Sequence, residues 1–145
     1  MKFQTHIVAL LAIAFLAACS PRSGDPIHIT IPDAYRGVFK IVPDSHAGLR
    51  HVVVDEYFQF NIPEEGILKV EDIAPFQRFH QTKVTYESGG SVPNGFLSLE
   101  PGTIAWYSLW SDTTGTIWFL IGTQVEYEAA QKKGRVEVGP DFLQN

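Results

Sequence analysis

The stretch Ile104-Ala105-Trp106-Tyr107-Ser108-Leu109-Trp110-Ser111-Asp112-Thr113-Thr114-Gly115-Thr116-Ile117-Trp118-Phe119-Leu120-Ile121 decides the fold. Its two ends are rich in aromatic and β-branched residues. They flank Ser111 to Gly115, a polar segment that ends in glycine. Two such runs about a turn read as a β-hairpin. Alternation along the first run puts Ile104, Trp106, Ser108 and Trp110 on one face and Ala105, Tyr107 and Leu109 on the other. Large apolar groups on both faces predict a central strand covered from two sides.

Working toward the N-terminus, the same grammar repeats. Ile27-His28-Ile29-Thr30-Ile31 alternates apolar and polar residues. Val38 to Val42 follows and ends at Pro43-Asp44. His51 to Val54 and Tyr57 to Ile62 come next, the latter closed by Pro63-Glu64-Glu65-Gly66, a turn with glycine where positive φ is often needed. Ile67 to Val70 and Lys83 to Glu87 complete the series. Short strands at roughly ten-residue spacing predict a small antiparallel β-sandwich, with a barrel as the alternative. The Pro43 to Arg50 connection is long enough to carry the chain between sheets.

Beyond the hairpin the period changes. Thr123-Gln124-Val125-Glu126 is a capping-box pattern. Lys132 and Lys133 suit the negative end of a helix dipole, and Gly134 can close the last turn in the left-handed conformation. Glu128 and Lys132 form an i,i+4 pair. These signals predict one short C-terminal helix over Gln124 to Lys133. Arg135 to Val138 then reads as a last edge strand.

The N-terminus carries a different message. Lys2 precedes Ile7 to Ala18, an uncharged apolar run too short for the roughly 20 residues a membrane span requires. A positive start, a short apolar middle and small residues before a cut site describe a secretory signal peptide. Leu16-Ala17-Ala18-Cys19 closes the run, contains the only cysteine of the chain, and resembles the lipobox of bacterial lipoproteins. That resemblance implies cleavage before Cys19 and lipid on its sulfur. Two or more acyl chains would give stable membrane anchoring. Ser20 stands where aspartate often marks inner-membrane retention. The implied address is therefore the cell envelope: the outer membrane of a Gram-negative source, or the outer face of the membrane of a Gram-positive one. The resulting division is a signal peptide over 1–18, a lipidated flexible spacer over 19–26 and a single β-sandwich domain over 27–145.

A second resemblance runs through the mature region. Ile31-Pro32-Asp33-Ala34-Tyr35-Arg36-Gly37, Tyr57-Phe58-Gln59-Phe60-Asn61-Ile62-Pro63-Glu64-Glu65-Gly66 and Phe119-Leu120-Ile121-Gly122-Thr123-Gln124-Val125-Glu126-Tyr127 resemble, in that order, an uncharacterised family of small exported bacterial domains. The overall pattern is also similar to transthyretin-like and carboxypeptidase-regulatory-like sandwiches. The resemblance supplies a fold but no activity and no functional residues.

Composition narrows the function classes. The net charge is −5 and becomes one unit more negative once Lys2 is removed. An acidic domain lacks the basic footprint of a nucleic-acid binder. With Cys19 lipidated no thiol remains for a disulfide, so packing alone must hold the fold.

Catalytic constellations are equally sparse. His28, His46, His51 and His80 are scattered without metal-ligand spacing, although His46 and His51 would meet Asp44 and Asp55 if their segment folded back. Adjacent carboxylates such as Asp55-Glu56 and Glu71-Asp72 would point to opposite faces of a strand, and Glu64-Glu65 sit in a predicted turn where their charge is solvated, which argues against an acid/base dyad. No nucleophile elbow or phosphate loop is present. The chain therefore reads as a non-enzyme without metal or cofactor.

Two functions fit. One is a membrane-anchored envelope lipoprotein acting as a non-catalytic interaction or structural module, with an envelope protein as partner. The other is a lipoprotein that binds a glycan or small apolar molecule through exposed aromatics. Trp106, Trp110 and Trp118 are the candidate residues for that second function, with an ordinary aromatic core as the competing account of the same residues.

Overall fold

The structure, a computed structural model, describes residues 24–134, 139, 142 and 143. The signal peptide, Cys19, the spacer up to residue 23 and the edge strand expected over Arg135 to Val138 lie outside the described residues.

Among the described residues nine strands form two sheets, with one α-helix near the C-terminus. The strands are β1 (Ile27–Ile31), β2 (Gly37–Pro43), β3 (Val52–Val54), β4 (Tyr57–Asn61), β5 (Ile67–Val70), β6 (Thr82–Tyr86), β7 (Ser91–Val92), β8 (Ala105–Ser111) and β9 (Ile117–Gly122), and the helix α1 spans Gln124–Lys133. The first sheet has the order β3-β4-β1-β6-β7 and the second the order β5-β2-β9-β8. This is the mainly β, two-sheet architecture with a C-terminal helix that the strand spacing predicts.

The pairing corrects one part of the expectation. β1 runs parallel to both β4 and β6, and β2 runs parallel to β5, so both sheets are mixed rather than wholly antiparallel. The reason lies in the connections. The turn after Ile31 sends β2 into the opposite sheet, and the Pro63 to Gly66 turn does the same for β5. The parallel neighbours within a sheet are then joined across the sandwich rather than by hairpins. Alternation along a strand fixes its buried face but not the direction of its neighbour.

β1 is the spine of the first sheet. Its alternation buries Ile27, Ile29 and Ile31 completely between the sheets. They meet Phe60 and Val84 from their own sheet and Phe39, Ile41, Phe119 and Ile121 from the other, in one core that also takes in Trp106. Phe39 and Phe119 are paired in register and stack at 5.0 Å. A second core forms on the outer face of the second sheet. There Val38, Ala105, Tyr107, Leu109, Trp118 and Leu120 are covered by α1 through Ala130 and Tyr127. The Tyr127 ring stacks on Tyr107 at 4.7 Å. The β8–β9 unit is thus covered from both sides, as its composition predicts.

α1 has the expected ends. Thr123 Oγ1 accepts the Glu126 N–H at 3.4 Å, Glu126 Oε2 accepts the Thr123 N–H at 2.6 Å, and Gly134 closes the helix at φ 77°. Two features escape the sequence reading. A 3₁₀ turn over Ala74–Gln77 buries Pro75 and packs Phe76 against Phe60 at 4.9 Å. The two-residue β7 is too short to show a period.

Candidate functional site

Trp106 points between the sheets and Trp118 lies under the helix-covered face, each 8% exposed. They are core residues. Trp110 is half-buried and donates from Nε1 to Gln131 Oε1 at 3.3 Å. Strict alternation would put it on the face of Trp106. The register shifts between Ser108 and Trp110, so that Trp110 pairs with Trp118 and joins the second core. One extra residue reverses the face of everything after it. The three indoles therefore do not converge.

The histidines are likewise separate. Asp44 accepts the backbone N–H groups of His46 and Ala47 and faces Lys69 Nζ at 3.3 Å. Those contacts, led by the Ala47 and His46 amides, hold its carboxyl below the usual range. His51 turns the other way, with Nε2 2.7 Å from the carbonyl of Asp72 and its ring edge-on to Phe58 and Phe60. Asp55 and Glu56 are the two loop residues of the β3–β4 hairpin, with φ of 50° and 69°. Among the described residues no group of three or more His, Cys, Asp or Glu side chains could hold a metal ion.

Among the described residues, the outer face of the first sheet carries no helix. Its centre is His28, whose Nε2 is 2.8 Å from Thr85 Oγ1. Burial and then the neighbouring Lys83 charge favour the neutral imidazole and pull its pKa below the ordinary histidine value, against a hydrogen bond that the protonated ring would donate to Gln59. A groove of about 760 Å³ runs from this face around the edge of the sandwich. Phe60, Leu68 and Val70 line it from the core, Leu49 and Val52 from the rim, and His28, Gln59 and Asn61 supply polar groups. An apolar floor with a few polar groups is the usual composition of a binding surface.

The rim of that groove is β3. Val52, Val53 and Val54 are 56%, 57% and 47% exposed, and Leu49 beside them is 65% exposed. The sequence pattern marks His51 to Val54 as a strand without fixing its place in a sheet. The structure places Val52 to Val54 at the open edge of the first sheet. The only sequence signal for this was the acidic Asp55-Glu56 pair. It closes the hairpin with positive φ at both loop residues, as a type I′ turn requires, and so makes β3 an edge-forming arm.

No family model matches the chain, and no curated protein matches it. Among solved structures, the chain is similar to a Bacillus anthracis protein described as a "Putative Lipoprotein", at 12% identity and a TM-score of 0.41, over 70% of this chain and 71% of that one.

Proposed function

We propose that the chain is a lipid-anchored lipoprotein of the bacterial cell envelope, and that its folded domain is a non-catalytic interaction module. The observation that carries this reading is Leu16-Ala17-Ala18-Cys19 at the end of an uncharged apolar run, with the only cysteine of the chain at the modification point. Among the described residues no helix is long and apolar enough to cross a membrane, so a lipid on Cys19 supplies the attachment. Gly24, five residues on, is already held to the domain through its N–H on the carbonyl of Phe79 at 2.5 Å. The domain therefore stands close to its tether. Ser20 after the cysteine favours the outer membrane where the envelope has one.

The interaction role rests on the exposed β3 rim and its groove. An envelope protein is the partner class that an open strand edge suits. The groove also keeps a second reading alive: a small apolar molecule or a glycan held by Phe60, Leu68, Val70 and the His28–Gln59 pair rather than by tryptophan.

Metabolic labelling with a clickable fatty acid tests the anchor. The wild-type chain is expected to take the label and to lose residues 1–18, and Cys19→Ala to do neither. An unlabelled wild-type chain would remove the anchor from this account.

A further inference from the structure

Among the described residues the two sheets have four edges, and three are blunted. The outer side of β5 is capped by Leu49, whose N–H reaches the Lys69 carbonyl at 3.0 Å and whose carbonyl receives the Glu71 N–H at 2.8 Å. The outer side of β8 is capped by the Pro93 to Gly95 segment through Trp106 N–H to Pro93 and Gly95 N–H to Trp106, both at 2.9 Å. β7 is two residues long and begins with an exposed serine. β3 alone presents exposed valines and carries no charge or proline within the strand, although natural edges are usually protected by such devices.

The backbone of that edge faces outward. Phe58 pairs with Val53 but donates its N–H away from β3, to the carbonyl of Pro26 at 2.9 Å. The Val53–Phe58 pair is therefore of the non-hydrogen-bonded kind, which turns the N–H and C=O of Val53 toward the open side.

We propose that β3 pairs with β3 of a second copy of this chain, antiparallel and centred on Val53. In this register the two Val53 residues exchange both backbone hydrogen bonds across a two-fold axis. Val52 then lies opposite Val54 of the partner subunit, and beyond this three-residue ladder the exposed Arg50 side chain of each copy comes beside the Asp55-Glu56 turn of the other. The segment is thus self-complementary, with the Arg50 cation at one end, the acidic Asp55-Glu56 turn at the other and valines between. A two-fold contact demands this arrangement. Opposite charges across a ladder stabilise it and like charges oppose it. Arg50 is available for the contact: its side chain is 89% exposed and its nearest carboxylate, on Glu71, is 3.7 Å away. Three residues of ladder make a weak dimer in free solution. Copies tethered to one membrane meet at far higher effective concentration, a point that rests on the anchor proposed above.

The test uses the full chain in intact cells under mild oxidation, read on a non-reducing gel. Opposed residues in an antiparallel pair lie about 5.5 Å apart at Cα, within disulfide range. Val53→Cys is expected to give a dimer band several-fold above wild type, while Ser91→Cys on the opposite edge stays at the wild-type level. In the Val53→Cys background, Arg50→Glu or Glu56→Arg alone is expected to lower the dimer yield by about tenfold, since each creates two like-charge contacts, and the two together to restore it. Equal yields from Val53→Cys and Ser91→Cys, or a double charge swap no better than either single one, would overturn self-pairing. An adduct with a protein of different mass would also overturn it, while leaving β3 as an interaction surface. The fatty-acid label on Cys19 is read separately on the same samples, so a failed anchor and a failed dimer are distinguishable.

Discussion

Arg36 clasps Glu126 at two points: its Nη2 lies 2.6 Å from Oε1 and 2.6 Å from Oε2. The contact ties the turn before β2 to the first turn of α1. The same carboxylate takes the Thr123 N–H and hydroxyl at 2.6 and 3.0 Å. One side chain thus caps the helix and fastens it to the sheet below.

Glu126 should therefore govern acid sensitivity. Burial alone would raise its pKa, but the Thr123 amide and hydroxyl and the Arg36 guanidinium outweigh that and hold it below the ordinary value of 4.5. A carboxylate depressed in the folded state contributes stability above its unfolded pKa, and loses that contribution as pH falls through the folded one. Glu126→Gln should cost about 1 kcal/mol at pH 7, the usual worth of a helix cap. The gap to wild type should shrink as the pH drops below 4.5. Urea denaturation at a series of pH values checks both.

Trp106 and Trp110 should separate cleanly. Trp106→Ala opens a cavity between the sheets and should cost roughly 3–5 kcal/mol. Trp110→Ala removes a half-buried ring and one hydrogen bond, and should cost about 1–2 kcal/mol. Thermal melts of the two variants, with indole fluorescence to report which ring is lost, decide the order. Equal costs would contradict the bulge after Ser108.

Gly48 should be irreplaceable. A Cβ there would lie 2.1 Å from the backbone carbon of Val70 and 2.5 Å from the Asp44 carbonyl oxygen, and neither atom can yield without moving a strand or a turn. Gly48→Ala should destabilise the fold by about 2–3 kcal/mol, in the range of overpacked cores, as measured by chemical denaturation. Gly102→Ala is the control for space. It has nothing within 4 Å of its Cβ and bears only the strain of φ 84°.

Glu56 offers a gain. A left-handed conformation costs a residue with a Cβ roughly 1–2 kcal/mol, and Glu56 holds φ 69° at the second loop position of the β3–β4 hairpin. Glu56→Gly relieves that strain while adding entropy to the unfolded chain. The net result should be a rise in stability of about 0.5–1 kcal/mol, visible as a higher denaturation midpoint.

Local signals in the sequence were highly legible. β1, β5 and α1 lie over the residues that alternation, turn chemistry and the capping box indicate. Those elements are specified by neighbours in the chain, and so a sequence can display them. The direction of β4 and β6 beside β1 was not legible, because it depends on which sheet each connection enters. The face of Trp110 was lost for a similar reason: a bulge adds one residue without any compositional mark. The candidate site was the least legible of all. Val52-Val53-Val54 has the composition of a buried strand, and only its place at the end of the sheet exposes it.

The parallel pairing of β1 sets the order in which the domain can assemble. β1 precedes both strands that flank it, and neither adjoins it in the chain. During synthesis, Ile27, Ile29 and Ile31 emerge early, and one side of their strand waits unpaired until Tyr86 has followed. Long-range pairing of this kind folds slowly and leaves an adhesive strand uncovered meanwhile. A chain stalled before β6 would therefore be a substrate for chaperones and proteases, and not a half-built domain.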